Sequence, residues 1–260
     1  MRNQINPYER KVCSQFGEDG ILEELFRRIG STNKHCVEFG AADGVGSNTL
    51  YLLAHKGWTG VLIEGDPAAY ARLQSNFAAY PGVRPAYHFL TPDNIAAVFQ
   101  SLQVPRDCDL LSIDVDGNDY WLWQALSDYK PRVVVIEYNE YHRPPARWVM
   151  AYNPAHRWDG TSYYGASLAS LAALGSDLGY ALIGTESNGV NAFFLRQDCL
   201  ALSGFVELSP EEAYHPALYI GLHGKPGHAF RDGPFVPLYL IHFYGRGFAD
   251  ERILDTIADL

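Results

Sequence analysis

Two groups of oxygen-bearing side chains stand where they could bind a cation or move a proton. Residues 114–119 (DVDGND) and residues 137–140 (EYNE) each follow an apolar run typical of a buried strand. The carboxyl ends of parallel strands share one edge of a sheet, so Asp114, Glu137 and Asn139 are expected to meet there. Their oxygen atoms are donors that Mg²⁺ and Mn²⁺ prefer. The pattern predicts a Mg²⁺ or Mn²⁺ site, at which an acceptor hydroxyl would have a lowered pKa.

The same acids have two other interpretations. Without a cation, Asp114 would act as a general base, with His142 as an alternative because imidazole titrates near neutrality. The acids could equally be structural. An EF-hand is excluded, because the twelfth position counted from Asp114 is Ala125 rather than a glutamate. The sequence leaves a metal site, a base and structural acids open.

A glycine-rich turn follows the first predicted strand, at residues 38–44 (EFGAADG). Glycine lets the backbone approach a ligand closely. The turn departs from the dinucleotide fingerprint G-x-G-x-x-G, because Ala42 stands at the second glycine position, where a pyrophosphate needs the closest approach. It therefore suits a ligand without a diphosphate, such as the methionine part of S-adenosylmethionine. A plain turn between a strand and a helix is the alternative.

One acid ends the next predicted strand. Glu64 lies 20 residues past Gly44, and a carboxylate at that place can accept two hydrogen bonds from ribose hydroxyls. A solvent-facing acid at a strand end is the alternative. Together, the glycine turn and Glu64 favour a nucleoside site.

The remaining sequence supplies the elements that must position these residues. Predicted strands cover residues 35–39, 60–64, 83–90, 110–114 and 133–137, and predicted helices cover residues 14–30, 48–56, 67–80, 92–102 and 120–127. This alternation predicts an open α/β sheet with mostly parallel strands, which binds ligands beyond their carboxyl ends. After a helix at 167–178, strands at 180–185 and 191–195 flank a turn-forming SNG sequence and predict an antiparallel C-terminal hairpin.

Two regions fall outside this alternation. Residues 138–165 are rich in aromatic side chains and predict a lid insertion over the site. Its aromatic residues are expected to form an acceptor pocket for a flat or apolar molecule. The predicted acceptor contacts are Gln15, Tyr138, Tyr141 and Trp158. The predicted organisation is one domain over residues 1–202 and an extension, 203–260, packed on that domain or at a subunit interface.

Five motifs between residues 14 and 196 resemble those of the FkbM-type methyltransferases. They are residues 14–20 (SQFGEDG), 38–44 (EFGAADG), 47–49 (SNT), 57–64 (GWTGVLIE) and 112–117 (SIDVDG). The resemblance implies a Rossmann-like class I methyltransferase fold, S-adenosylmethionine as cofactor, and adenine near residues 89–94. The predicted cofactor contacts are Glu38, Gly40, Ala41, Asp43, Ser47, Glu64 and Asp114. The acceptor stays open, since FkbM-type enzymes methylate varied molecules, often hydroxyls of small natural products or sugars.

Composition narrows the expected partners. The chain has 260 residues and a net charge of −10, so its surface repels phosphate backbones and nucleic acid is not an expected partner. No apolar run approaches the roughly 20 residues that span a bilayer, so no membrane partner is expected either. Residues 1–11 are polar and lack the apolar core of a signal peptide. The four cysteines lack CxxC spacing, which favours a reduced, cytoplasmic protein.

These observations together predict an S-adenosylmethionine-dependent methyltransferase that acts on a small-molecule acceptor, with a homo-oligomer left open. Cation-assisted O-methylation is favoured over metal-independent N-methylation with Asp114 or His142 as the base. Two rivals come from other classes. A nucleotide-dependent oxidoreductase is disfavoured by the altered glycine spacing, and a non-catalytic cofactor-binding protein would not depend on Asp114 or Glu137.

Overall fold

A computed structural model describes residues 4–218 and 228–244 of the chain. Part of the predicted extension, residues 219–227 and 245–260, lies outside the described residues. The strands are β1 (His35–Phe39), β2 (Thr59–Glu64), β3 (Val83–Tyr87), β4 (Leu110–Ile113), β5 (Val133–Glu137), β6 (Trp148–Met150), β7 (Tyr180–Thr185), β8 (Asn191–Arg196) and β9 (Phe235–Pro237). The helices are α1 (Glu18–Ile29), α2 (Leu50–His55), α3 (Pro67–Phe77), α4 (Ile95–Ser101), α5 (Asp119–Ala125), α6 (Leu168–Leu178), α7 (Gln197–Ser203), α8 (Pro210–Ala213) and α9 (Leu238–Tyr244).

Seven of the strands form one sheet in the order β3-β2-β1-β4-β5-β8-β7. The first five strands are parallel, whereas β8 runs antiparallel to both of its neighbours, β5 and β7. The predicted fold class is therefore confirmed as an open, Rossmann-like α/β sheet that is mostly parallel and has an antiparallel C-terminal hairpin. The order reverses direction at β1 and β4, and ligands of such sheets bind beside that reversal.

Helices cover both faces of this sheet, because its strands are apolar on both faces. Side chains alternate between faces along a strand. On β5, Val133 and Val135 pack in the core that contains residues of α1, α2 and α3. Val134 and Ile136 pack in the core that contains residues of α4, α5 and α6. Burying a large apolar side chain stabilises the fold by about 1.5–3 kcal/mol, so these two cores hold the sheet rigid under the site.

The helix predicted from residue 14 begins later, at Glu18. The backbone N–H groups of Val12, Cys13 and Ser14 all donate to Asp19 Oδ2, at 2.7, 2.5 and 2.9 Å. The N–H of Phe16 donates to Glu18 Oε2 at 2.9 Å. Two buried acids of the first helical turn therefore hold residues 12–16 as an irregular turn. The predicted start of the helix at residue 14 was wrong, because the spacing of apolar residues carries no information about hydrogen bonds from a turn to acidic side chains.

The lid insertion contains a strand that the sequence did not predict. β6 pairs antiparallel with β9 of the extension, with Trp148 opposite Pro237 and Met150 opposite Phe235. Elsewhere in the extension, Leu208 N–H donates to Leu182 O of β7 at 2.8 Å. The division of the chain at residue 203 stays a prediction. Among the described residues, no helix combines the length and apolar character that crossing a bilayer requires.

Candidate active site

One face of the sheet ends in a row of residues at its carboxyl edge. On that face, Leu62 of β2, Leu110 of β4, Val135 of β5 and Phe193 of β8 are buried in the core with α1. Side chains on the same face are two residues apart along each strand, and the registers show which residues lie beside one another. Each strand therefore places one further residue of this face at the carboxyl edge of the parallel strands. Across the sheet, the row reads Glu64, Gly40, Asp114, Glu137 and Asn191. The predicted juxtaposition of Gly40, Glu64, Asp114 and Glu137 is therefore present in the structure.

Gly40 makes the close approach between β1 and β4 possible. Its φ is +73°, and a Cβ atom at this position would lie 1.5 Å from the carbonyl oxygen of Asp114. The N–H groups of Gly40 and Ala41 both donate to Ile63 O, at 3.1 and 3.2 Å. The turn after β1 is thus fixed against β2 on one side and β4 on the other.

Glu38 lies beneath this turn and does not line the cavity described below. Its buried carboxylate accepts hydrogen bonds from Asn48 N–H at 2.9 Å, Thr49 N–H at 3.1 Å and Thr49 Oγ1 at 2.5 Å. Burial raises the pKa of Glu38, against the effect of these hydrogen bonds. The structure therefore places Glu38 as an anchor for residues 40–49, one layer below the cavity.

A cavity of about 340 Å³ opens above the row. Gly40, Glu64 and Asp114 form its floor, and the lid residues His156, Arg157 and Trp158 line its other side. The carboxylate of Glu64 is held by the N–H of Ala42 at 2.7 Å and by the N–H of Asp66 at 2.6 Å. The cavity is also lined by Ala42, Ile63, Gly65, Asp66, Ala69, His88, Phe89, Leu90, Val115, Asp116 and Asn118.

Three acids converge at the cavity end of β4 and β5. Asp114, Asp116 and Glu137 each offer a carboxylate oxygen, and these oxygens lie within 4.8 Å of one another. Burial is the main cause that raises the pKa of Asp114 and Glu137 well above their usual ranges, and mutual repulsion adds to it. Burial and Asp119 raise the pKa of Asp116 to about 6. Glu137 Oε2 is buried and has no hydrogen-bond partner among the described residues.

This donor set fits a divalent cation. Three carboxylates held together without a counter-charge repel one another, and hard divalent ions take such oxygens as ligands. Asn139, which the sequence predicted as a ligand, is placed differently. Its Nδ2 donates to Ser162 O at 3.0 Å and Tyr164 O at 2.7 Å, and its Oδ1 accepts from Tyr141 N–H at 3.0 Å. Its amide thus fixes the lid, and Asp116 supplies the third carboxylate oxygen of the cluster.

The raised pKa values make the stability of the ligand-free protein depend on pH. The pKa of Asp116 is about 6 when folded, against 3.8 for an ordinary aspartate. The folded state therefore holds this proton more tightly, and the resulting stabilisation, full below pH about 4, is lost as the pH rises through about 6. Between pH about 4 and pH about 6, we expect the free energy of unfolding to decrease in the wild type and to decrease less in Asp116→Asn. Urea denaturation at a series of pH values measures both.

The exposed Asp128 offers a control for that comparison, because its substitution by asparagine alters a surface carboxylate outside the cluster. Asp128→Asn should follow the wild-type pH profile. Parallel profiles for the wild type and Asp116→Asn would contradict the assignment of a raised pKa to Asp116.

The structure places the four predicted acceptor contacts in different parts of the molecule. Trp158 lines the cavity. Tyr138 is fully buried, and its hydroxyl donates to His215 O at 2.5 Å. The hydroxyl of Tyr141 donates to His228 O at 3.1 Å. Gln15 is exposed on the turn before α1, so only Trp158 of the four lines this cavity.

Four further predicted residues lie outside the cavity lining. Ala41 is buried in the core with α1. The ring of His142 packs 4.3 Å from that of Phe235, and burial lowers the pKa of this histidine. Asp43 accepts from Val45 N–H at 3.0 Å, and Ser47 is half-buried on the same loop. The structure therefore gives His142 a packing contact and gives Asp43 a hydrogen bond within the loop.

Sequence reasoning missed several residues that the structure brings to the cavity. The guanidinium of Arg157 lies 5.2 Å from the ring centre of Phe89, and His156 Nε2 lies 3.0 Å from Asp116 O. Asp116 belongs to the DVDGND sequence at residues 114–119, but this sequence alone does not predict which of its acids lie near Glu137. His156 and Arg157 precede Trp158 directly, so the aromatic lid was the available signal for both.

Comparison with known proteins gives likeness at the level of structure alone. No protein-family model matches the sequence, and neither does any curated protein. One similar solved structure is the CMeT domain of the citrinin polyketide synthase, with a TM-score of 0.46, 13% identity, and coverage of 69% of this chain and 51% of that one. Another is the N-terminal domain of EvdMO1 with SAH bound, with a TM-score of 0.42, 13% identity, and coverage of 70% and 80%.

A third is TYW2 from M. jannaschii in complex with AdoMet, with a TM-score of 0.38, 18% identity, and coverage of 72% and 79%. The chain spans about half the length of the citrinin domain and of the CurJ carbon methyltransferase. At such low identities and TM-scores, function must be argued from the side chains of this chain. The resemblance to FkbM-type enzymes rests on the sequence motifs and stays a prediction.

Proposed function

We propose that this chain is an S-adenosylmethionine-dependent methyltransferase that acts on a small molecule, with an acceptor hydroxyl as the methylated group. The observation that carries the proposal is the row of Glu64, Gly40 and Asp114 along the floor of one cavity. The row places an anchored carboxylate, a closely approached backbone turn and the half-buried acid Asp114 side by side.

The cavity has the chemistry that this cofactor requires. The carboxylate of Glu64 is already fixed by two N–H groups, and its remaining lone pairs suit the two ribose hydroxyls. Phe89 and Leu90 offer apolar surface for adenine. Glu64, Asp66, Asp114 and Asp116 surround the cavity with negative charge, which suits a sulfonium cation. About 340 Å³ lies in the range of small-molecule sites.

The chain's own residues would then align the reactants and accept a proton. When bound, the cofactor supplies a methyl group on a positively charged sulfur, which is a good leaving group. Gly40 and Glu64 would hold the nucleoside of this cofactor, and Asp114 lines the same cavity beside them. Without a bound cation, Asp114 would accept the proton of the acceptor hydroxyl during methyl transfer. Its raised pKa brings its basicity closer to that needed near neutral pH.

We further propose that Asp114, Asp116 and Glu137 bind Mg²⁺ or Mn²⁺. Such a cation would lower the pKa of the acceptor hydroxyl. The close carboxylates and the unpartnered Glu137 Oε2 support this cation site. Metal-independent N-methylation is the alternative, since an uncharged amine needs only a base.

Cofactor binding can be tested at Glu64. We expect Glu64→Ala to weaken S-adenosylhomocysteine binding by about thirtyfold, because it removes the side chain proposed to accept hydrogen bonds from two ribose hydroxyls. The measurement is isothermal titration calorimetry. Glu207→Ala, which removes an exposed acid, should leave the affinity unchanged. The wild type binding NAD⁺ but not S-adenosylhomocysteine would overturn the proposed function in favour of an oxidoreductase.

The cation site has its own test. We expect millimolar Mn²⁺ to raise the unfolding midpoint of the wild type at pH 7.5, because an ion that binds only the folded state stabilises it. Glu137→Gln should remove most of this increase and leave S-adenosylhomocysteine binding intact. An equal increase in the wild type and Glu137→Gln would exclude Glu137 as a ligand.

A further inference from the structure

The row along the sheet edge continues past the acid cluster to Asn191. Asn191 opens β8 and stands directly opposite Glu137 of β5 in the antiparallel register. Side chains of directly opposite residues share a face, with Cβ atoms about 5 Å apart. Asn191 is 2% exposed. The row of polar residues at the sheet edge thus continues one strand beyond Glu137, beside the start of α1.

Glu18, at the start of α1, sets the orientation of the Asn191 amide. Asn191 Nδ2 donates to Glu18 Oε1 at 3.0 Å, and Glu18 Oε2 accepts from Phe16 N–H at 2.9 Å. Because Glu18 Oε1 accepts this hydrogen bond, the amide keeps the orientation that turns Nδ2 towards Glu18. Oδ1 then points to the other side of the amide and is left without a partner among the described residues.

Two buried oxygens therefore lie on facing residues, Glu137 Oε2 and Asn191 Oδ1, and neither has a hydrogen-bond partner in the part of the chain that the structure describes. Buried polar atoms are nearly always hydrogen-bonded, so an exception calls for a bound group. Asp114, which lines the cofactor cavity, lies within 4.8 Å of Glu137 through their carboxylate oxygens. Donors placed at Glu137 and Asn191 would thus belong to a molecule that reaches the methyl-transfer position.

We propose, on the basis of the proposed function, that Asn191 selects the acceptor. The acceptor carries two hydrogen-bond donors on neighbouring carbon atoms, as in a vicinal diol or an amino alcohol. One donor lies at Asp114 and Glu137 and is the group that is methylated. The other donates to Asn191 Oδ1, and Glu18 is a positioning residue that keeps this oxygen available.

The test compares matched probes on the full chain saturated with S-adenosylhomocysteine, in buffer containing EDTA so that metal chelation plays no part. The pairs are catechol with phenol, and cis-1,2-cyclohexanediol with cyclohexanol, with dissociation constants measured by ligand-observed NMR. For the wild type, we expect the diol of at least one pair to bind about tenfold more tightly than its monohydroxy partner, as one more buried hydrogen bond provides.

Asn191→Leu should remove this preference while leaving the affinity for S-adenosylhomocysteine unchanged. Glu18→Leu, which frees the Asn191 amide to turn, should reduce the preference and provides a second variant should Asn191→Leu unfold. Asn33→Leu alters an exposed asparagine near the opposite edge of the sheet and should keep the wild-type preference.

Equal affinities within both pairs, no binding of any probe, or a preference that survives in Asn191→Leu would overturn the inference. In the last case the unpartnered oxygen would be serving a buried water molecule. If S-adenosylhomocysteine binds normally in these experiments, only the acceptor inference has failed. If S-adenosylhomocysteine does not bind the wild type, the proposed function itself has failed.

Discussion

Asp114→Asn should make the protein more stable at pH 7.5 and at the same time nearly inactive. The substitution removes a carboxylate whose pKa is raised by burial and by the neighbouring acids. The folded state then loses the desolvation cost of this carboxylate and its repulsion by the neighbouring acids. We expect the unfolding midpoint to rise by a few degrees at pH 7.5 and by less at pH 4, where the carboxyl group is protonated in the folded protein. Differential scanning calorimetry measures both.

The same substitution should lower kcat/KM for methyl transfer by about a thousandfold, because an amide cannot accept the acceptor proton. Formation of S-adenosylhomocysteine, with an acceptor found by screening, is the readout. Asp128→Asn, on the surface, should change neither quantity. A variant that is less stable at pH 7.5, or one that retains activity, would show that Asp114 is a structural acid. Opposite changes in stability and activity are typical of a residue kept for chemistry.

Gly40→Ala is expected to destabilise the fold by about 4 kcal/mol, the largest effect on stability that we anticipate. A left-handed backbone conformation costs a non-glycine residue about 1–2 kcal/mol. The added Cβ would also lie 1.5 Å from the carbonyl oxygen of Asp114. That oxygen belongs to the backbone after β4, so two strand ends must separate, and overpacking of this kind costs about 1–3 kcal/mol more. Urea denaturation monitored by tryptophan fluorescence measures the loss.

Gly46 offers a matched control on the same loop. Its φ is +86°, yet nothing lies within 4 Å of a Cβ atom built on it, so Gly46→Ala should cost only the left-handed conformation, about 1–2 kcal/mol. Equal losses in the free energy of unfolding for the two substitutions would contradict the close approach of Gly40 to the Asp114 carbonyl oxygen. Because the two strand ends carry the cavity floor, Gly40→Ala should also weaken S-adenosylhomocysteine binding, whereas Gly46→Ala should change it little.

Much of the scaffold could be predicted from local sequence. The strands predicted at 35–39, 133–137 and 180–185 have the same bounds in β1, β5 and β7, because a continuous apolar run with polar ends specifies a buried strand. The meeting of Gly40, Glu64, Asp114 and Glu137 also followed from the sequence, since parallel strands present their carboxyl ends at one edge.

The rest of the site depends on contacts between residues distant in sequence. Asn139 and Asp116 were both plausible oxygen donors, and only the packing of the lid shows that Asn139 is hydrogen-bonded to Ser162 and Tyr164. Tyr138 follows β5 directly and is buried, whereas Trp158 reaches the cavity. Aromatic composition predicted that a lid exists but could not assign its members to the interior or the cavity.

The pairing of β6 with β9 has a consequence for how this protein can change. His156, Arg157 and Trp158 belong to a segment whose neighbouring strand is hydrogen-bonded to the C-terminal part of the chain. A substitution in Phe235–Pro237 can therefore shift the wall of a cavity that it does not touch. Selection for new acceptors of the proposed methyltransferase would find mutable positions there, because the floor proposed to bind the cofactor would be left undisturbed.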